Sequence, residues 1–248
     1  KVPVLVEKPM TPSFKETFVL VERAKDNRTL LSSSWVFLYA SYINNFAEQL
    51  GSANDIQKVC FNWTDEYAEP RYGEIKSFDA ATPVFKDVLP HVVSILYKIF
   101  KNQTFELASC KVSRGGCCVE IVIFILNVEC CLTLERNSDK RRRKIVIKGQ
   151  KDCELDFSVE PGTMLIDGHA SSGDLYWGSS PSPLEKMVME FLTKVELDRF
   201  DQEDTGTLAL STSKLIDEIE PAYLMSLDTW LIEHLNQKEI DKRDIHYF

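Results

Sequence analysis

The chain has 248 residues, a hydrophobic fraction of 44%, seven cysteines and a net charge of −9 at pH 7. That composition supports a sizeable buried core and excludes global disorder. The longest uninterrupted apolar run, Ile121 to Leu126, is far too short to cross a membrane, and an acidic chain of pI ≈ 5.1 has no sequence-independent hold on nucleic acid.

In chain order, Val2 to Val6 reads as a buried strand that opens the sequence at once. The chain starts at Lys1 rather than at a methionine, so we expect further sequence upstream. Thr11 to Lys25 reads as an amphipathic helix with Phe14, Phe18, Val21 and Ala24 on one side, capped by Thr11 with Pro12 in its first turn. Leu30 to Ser34 is a short strand, and Trp35 to Leu50 a helix closed by Gly51. This strand–helix alternation belongs to a parallel sheet.

From Ile56 the pattern changes. Ile56 to Trp63 is a strand, 64–81 a long polar loop, and Thr82-Pro83 opens a helix that runs to Phe100. Strand-like runs follow at 105–112, 117–126, 129–135, 144–147, 153–157 and 164–166, with Gly115-Gly116 as a hairpin turn. A loop rich in Gly, Ser and Pro, 171–183, leads to a helix over 184–197. An acidic connector, 196–204, precedes a helical region over 208–235 that Pro221 should interrupt. The expected fold class is α+β: an open antiparallel sheet with helices on one face, preceded by the last βα elements of a truncated Rossmann-like domain. The expected divisions are residues 1–54, 55–183 and 184–248.

Two short segments could carry chemistry. Glu7-Lys8-Pro9 ends the first strand, where ligands of open α/β sheets bind. A lysine there can polarise a hydroxyl or carbonyl or move a proton, and the proline restricts its backbone. Taken alone, a solvated lysine is equally in keeping with the tripeptide. Asp87 and His91 lie one turn apart on one face of the 83–100 helix, so the carboxylate can orient the imidazole and raise its basicity. A helix-surface ion pair or a core histidine remains the alternative. Pro90 between them should kink the helix.

The order Glu7-Lys8-Pro9, then Asp87-x-x-x-His91 on a helix, then an antiparallel sheet resembles the glucose–fructose oxidoreductase and inositol dehydrogenase family. The likeness extends through Ile145-Val146-Ile147-Lys148-Gly149, Leu155-Asp156-Phe157 and the 184–192 helix. The resemblance implies hydride transfer between NAD or NADP and a hydroxyl-bearing carbon of a sugar, cyclitol or similar small alcohol. It assigns Lys8, Asp87 and His91 to catalysis, and Glu7, Lys8 and Pro9 to the nicotinamide side of the cleft. It also implies a homo-oligomer built through the open sheet face. Leu89 stands where the family usually has glycine, and no Gly-x-Gly-x-x-Gly follows a strand. This chain alone is therefore expected not to bind a dinucleotide tightly. The rival expectation is a non-catalytic binding or scaffolding protein that retains this half of the fold.

Tyr67, Arg71 and Tyr72 in the loop after the third strand, with Tyr176 and Trp177 in the 171–183 loop, are candidate substrate contacts. Pinning of long loops is an equal alternative. The basic run 140–144 reads as a solvated hairpin tip. The cysteines, odd in number and including the adjacent pairs Cys117-Cys118 and Cys130-Cys131, read as reduced thiols in a cytoplasmic protein, with one member of each pair facing each side of a sheet. No metal site is expected from their spacing.

Overall fold

Two parallel strands, β1 (Val4–Val6) and β2 (Leu31–Ser33), are joined by helix α1 (Phe14–Asp26), as the alternation of elements predicts. The computed structural model describes residues 2–71, 73–75, 81–101, 104–199 and 203–234, apart from the side chains of Arg71 and residues 203–205. The cap of α1 is Ser13 rather than Thr11. Ser13 Oγ accepts from the Glu16 amide at 3.3 Å, while the Thr11 hydroxyl donates to the Ser13 carbonyl at 2.8 Å. A capping oxygen must reach the second or third helical amide, and only Ser13 is in register to do so. Val21 and Ala24 are buried, whereas Phe14 and Phe18 stay largely exposed and pair with each other.

The helix expected over 35–50 is broken. Val36–Tyr39 form a 3-10 turn, Ala40 is extended (φ −75°, ψ 112°), and α2 spans Ser41–Gln49. Tertiary packing overrides local propensity here. Ala40 is fully buried, and the break lets Phe37 and Tyr42 both pack against Phe157.

The main sheet has eight strands in the order β12-β11-β10-β9-β3-β8-β7-β6. They are β3 (Ile56–Glu66), β6 (Phe105–Ser113), β7 (Cys118–Ile125), β8 (Val128–Ser138), β9 (Arg142–Gly149), β10 (Cys153–Asp156), β11 (Thr163–Ile166) and β12 (His169–Ser172). A short hairpin, β4 (Pro70–Arg71) with β5 (Glu74–Ile75), lies in the segment expected to be loop. Six of the seven neighbouring strand pairs are antiparallel, but β3 and β8 run parallel, with Val59 opposite Cys130. The expected wholly antiparallel sheet is corrected to this extent. The reason is topological: helix α3 (Val84–Phe100) carries the chain from β3 to the far edge, and the meander β6-β7-β8 brings it back beside β3 in the same direction.

The core lies between this sheet and its helices. Twelve residues of α3 are buried, and α3 runs through Pro90 without ending. Helix α4 (Pro183–Glu196) begins with a reciprocal capping box between Ser182 and Glu185. Helix α5 (Glu203–His234) starts earlier than expected and continues through Pro221. Leu215, Ile216, Ile219 and Tyr223 are all buried, so packing on both sides of the proline outweighs one lost backbone hydrogen bond. Part of the expected acidic connector, at 200–202, lies outside the described residues. On the other face of the sheet, Lys58, Cys60 and Asn62 of β3 alternate with the buried Val59, Phe61 and Trp63, leaving that face uncovered by helix. Among the described residues, no helix is long and apolar enough to cross a membrane.

Candidate functional site

The carboxyl ends of β1 and β2 face the first turns of α3. Ser34, just after β2, joins the two strand ends: its Oγ donates to Glu7 Oε2 at 2.6 Å and accepts from the Lys8 amide at 3.2 Å. The Lys8–Pro9 peptide is cis. The Lys8 side chain then crosses to α3, where Nζ donates to the Asp87 carbonyl oxygen at 2.6 Å and to Asp87 Oδ1 at 3.1 Å. That lysine side chain is only 7% exposed, while the Asp87 side chain is 41% exposed. On the other flank of the carboxylate stands Arg136 of β8, with Nη2 at 4.0 Å from Asp87 Oδ2 and Nη1 donating to the Thr82 carbonyl at 3.0 Å. One solvent-facing carboxylate thus sits between two nearly buried cations.

His91 follows one turn later. Its ring stacks on Trp63 at 5.4 Å between centroids and meets Phe37 edge-on at 5.2 Å. These two aromatic neighbours from β3 and the 3-10 turn fix the plane of the imidazole. The backbone carbonyl of His91 accepts from Ser94 Oγ at 2.7 Å. Leu89, at the position where the resembling family usually has glycine, is fully buried. At 100° per residue its side chain leaves the helix opposite Asp87 and His91, so it packs into the core rather than standing over the site.

Behind Trp63 lies a second ionic group. Arg143 of β9 rests on the indole at 3.7 Å, pairs with Asp65 of β3 and donates to the Thr64 carbonyl at 2.6 Å. Both side chains of the pair are about 5% exposed or less. Burial pulls the Arg143 guanidinium down to about 10 while Asp65 holds it up, so it stays charged at neutral pH.

The basic run is a solvated tip only at Lys140, which is exposed at the turn; three of its other members have protein partners. Arg143 is buried, Arg141 pairs with Glu69 at 2.8 Å and donates to the Ser158 carbonyl at 3.0 Å, and Lys144 pairs with Glu154 at 2.7 Å. The sheet consumes these charges because β8 and β9 continue to within three residues of each other and place them beside acidic neighbours.

The candidate substrate contacts divide. Trp177 packs edge-on against the fully buried Tyr42 at 5.5 Å and pins its loop to the core. Tyr176 is exposed at the rim of a cleft of about 510 Å³ between α2 and β11–β12. The loop below it is anchored by Asp174, whose carboxylate accepts from Ser41 Oγ at 2.5 Å and from the Tyr176 amide at 2.8 Å. The Ser41 hydroxyl above all holds the Asp174 carboxyl below its ordinary value. Tyr67 is exposed, and its amide donates to the Ser138 carbonyl at 3.0 Å. The side chain of Arg71 and the whole of Tyr72 lie outside the described residues.

Sequence reasoning missed Phe37, Trp63, Asp65, Arg136 and Arg143. Three of these had a legible signal. Asp65 is in phase with Val59, Phe61 and Trp63; Arg136 with Cys130, Leu132 and Leu134; and Arg143 with Ile145 and Ile147. A charge on the buried phase of a period-two strand needs a partner, and three at one end of a sheet mark an ionic cluster.

All seven cysteines are free, and in the 130–131 pair Cys130 is buried while Cys131 is half-buried. Burial pushes the Cys130 thiol up to about 12 and the Cys110 thiol up to about 11.

No protein-family profile matches the sequence, and no curated protein matches it. Solved structures do. UDP-N-acetylglucosamine 3-dehydrogenase GnnA from Acidithiobacillus ferrooxidans superposes with a TM-score of 0.72 at 16% identity, over 91% of this chain and 72% of that one. KijD10, a 3-ketoreductase from Actinomadura kijaniata, in complex with TDP-benzene and NADP in its open conformation, gives 0.68 at 16% identity, over 87% and 68%. The dehydrogenase MviM from Clostridium difficile gives 0.71 at 13% identity, over 89% and 71%. At such identities the likeness is one of fold alone: this chain shares the α+β architecture of these three proteins.

Proposed function

We propose that this chain is the substrate-binding half, with the end of the dinucleotide-binding half at residues 1–54, of an NAD(P)-dependent oxidoreductase acting on a hydroxyl-bearing carbon of a sugar or cyclitol. The observation that carries this reading is Lys8, held at the carboxyl end of β1 by the carbonyl and carboxylate of Asp87, one helical turn from His91. An ammonium has three donors. Two are taken by Asp87, and the third is left for a substrate oxygen. His91, its ring plane fixed by Trp63 and Phe37, is placed to take the hydroxyl proton or return it. Asp87 orients both groups and offsets the positive charge.

The described residues fit one end of a dinucleotide. Glu7, Lys8 and Pro9 line the strand end, and the buried Ser33 hydroxyl beside them has no hydrogen-bond partner. No glycine-rich turn follows β1 or β2 among the described residues, so these two strands offer no pyrophosphate cradle of their own. When bound, a nicotinamide supplies or accepts the hydride. The neighbours' names, a UDP-N-acetylglucosamine 3-dehydrogenase and a 3-ketoreductase, support a sugar as substrate. We assign a second copy of the chain to the uncovered sheet face.

The test is an assay of the full-length protein, using NAD⁺ or NADP⁺ and UDP-N-acetylglucosamine, then free sugars and inositols. Lys8→Ala should lower turnover by about 10²-fold or more. A normal rate in that variant overturns the assignment. Ligand binding without turnover in the parent protein favours the rival, a binding or scaffolding protein, which the missing pyrophosphate turn supports.

A further inference from the structure

A cleft of about 480 Å³ lies between the 3-10 turn at 36–39, the last turns of α3 and one face of α4. Its walls carry three lysines: Lys98 from α3, and Lys186 and Lys194 two turns apart on α4. Glu190 is the sole acidic residue lining it, and it pairs with Lys194 at 3.0 Å. Lys186 makes no close ion pair; its Nζ donates to Ser180 Oγ at 3.3 Å, and Asp174, outside the cleft lining, feels its charge at longer range. The cleft therefore carries a net positive charge of two on a chain whose net charge is −9. Like charges gathered on separate elements repel one another, so their convergence favours an anion between them.

We propose that this cleft binds the phosphoryl group of a small phosphorylated molecule. Two unneutralised ammonium groups match a dianion better than a carboxylate, and lysine serves phosphate as a point charge. The volume exceeds that of inorganic phosphate and lies in the range of small-molecule sites, which leaves room for the group that carries the phosphate. Tyr39 and Tyr97 supply aromatic wall for that group, and Asn44 an amide. The site does not depend on the oxidoreductase reading. Phe37 faces His91, whereas its neighbours Leu38 and Tyr39 line this cleft, so the two sites share the 3-10 turn but no lysine.

The experiment is titration calorimetry of the protein with inorganic phosphate, pyrophosphate and glucose 6-phosphate at low and high salt. Pyrophosphate should bind and weaken as salt rises. Lys98→Gln and Lys186→Gln should each weaken it about tenfold, a change of about 1.4 kcal/mol, while Lys140→Gln, at an exposed turn, should not. Tighter binding of glucose 6-phosphate than of phosphate identifies a sugar phosphate as the source; equal binding identifies the free anion. In the wild-type protein, pyrophosphate should also slow acylation of Lys98 and Lys186 by an N-hydroxysuccinimide ester, read by mass spectrometry. No binding, binding that Lys140→Gln weakens equally, or unchanged acylation overturns the proposal.

Discussion

Two ion pairs flank Trp63 and His91, and they are built differently. Asp65 and Arg143 join β3 to β9 and are closed off from solvent on both sides, at 4% and 5% exposure. Lys8 and Asp87 join β1 to α3; the lysine is as buried as Arg143, but the carboxylate is 41% exposed. The first pair is enclosed by protein, with Arg143 bonded to Asp65 and to the Thr64 and Arg142 carbonyls, and it supports the indole from below. The second leaves one ammonium donor and one carboxylate face open. A buried charge costs several kcal/mol unless it is paired, and under the proposed function the half-open pair is the one that would receive the substrate.

That contrast can be broken by substitution. Asp65→Ala should have the largest effect, about 3–5 kcal/mol of lost stability, because it leaves the Arg143 guanidinium buried and unpaired. Urea unfolding measures it, and a loss under about 1 kcal/mol would mean that water reaches the pair. Asp87→Asn should cost only about 1 kcal/mol, since Lys8 keeps its 2.6 Å bond to the residue 87 carbonyl and the carboxylate already faces solvent. A larger loss would make the second pair structural as well.

The smallest expected effect concerns Asp174. Its carboxyl lies below its ordinary value of 3.8 because Ser41 donates to it. Its stabilising contribution is therefore present above the ordinary aspartate range and is lost as pH falls through the lowered value. Ser41→Ala should raise the Asp174 midpoint toward 3.8, read by carboxyl carbon NMR. An unmoved midpoint would assign the effect to the Tyr176 amide instead.

Much of the fold was legible in the sequence. The strand–helix–strand start, the 84–100 helix and most sheet strands follow from hydrophobic period and turn residues, which act over a few neighbours. Lys8, Asp87 and His91 could be named for the same reason: a strand end and an i,i+4 spacing are local. Their meeting partners were not legible. Phe37 reaches His91 only because the helix expected at 35–50 breaks at Ala40, a break set by burial of that residue against the core. Arg136 comes to Asp87 only because β8 lies parallel to β3, a pairing that depends on how α3 carries the chain across the sheet.

By itself, then, the sequence determined which residues alternate in and out of the core and where most elements run, because backbone sterics and side-chain period are properties of neighbours. The tertiary structure alone decided which ion pair is sealed and which is open. It also decided that Arg141, Arg143 and Lys144 of the basic run are spent on protein partners, and that three lysines from two helices share one cleft. Those outcomes depend on desolvation and charge between residues far apart in the chain, and no local pattern encodes the distance between them.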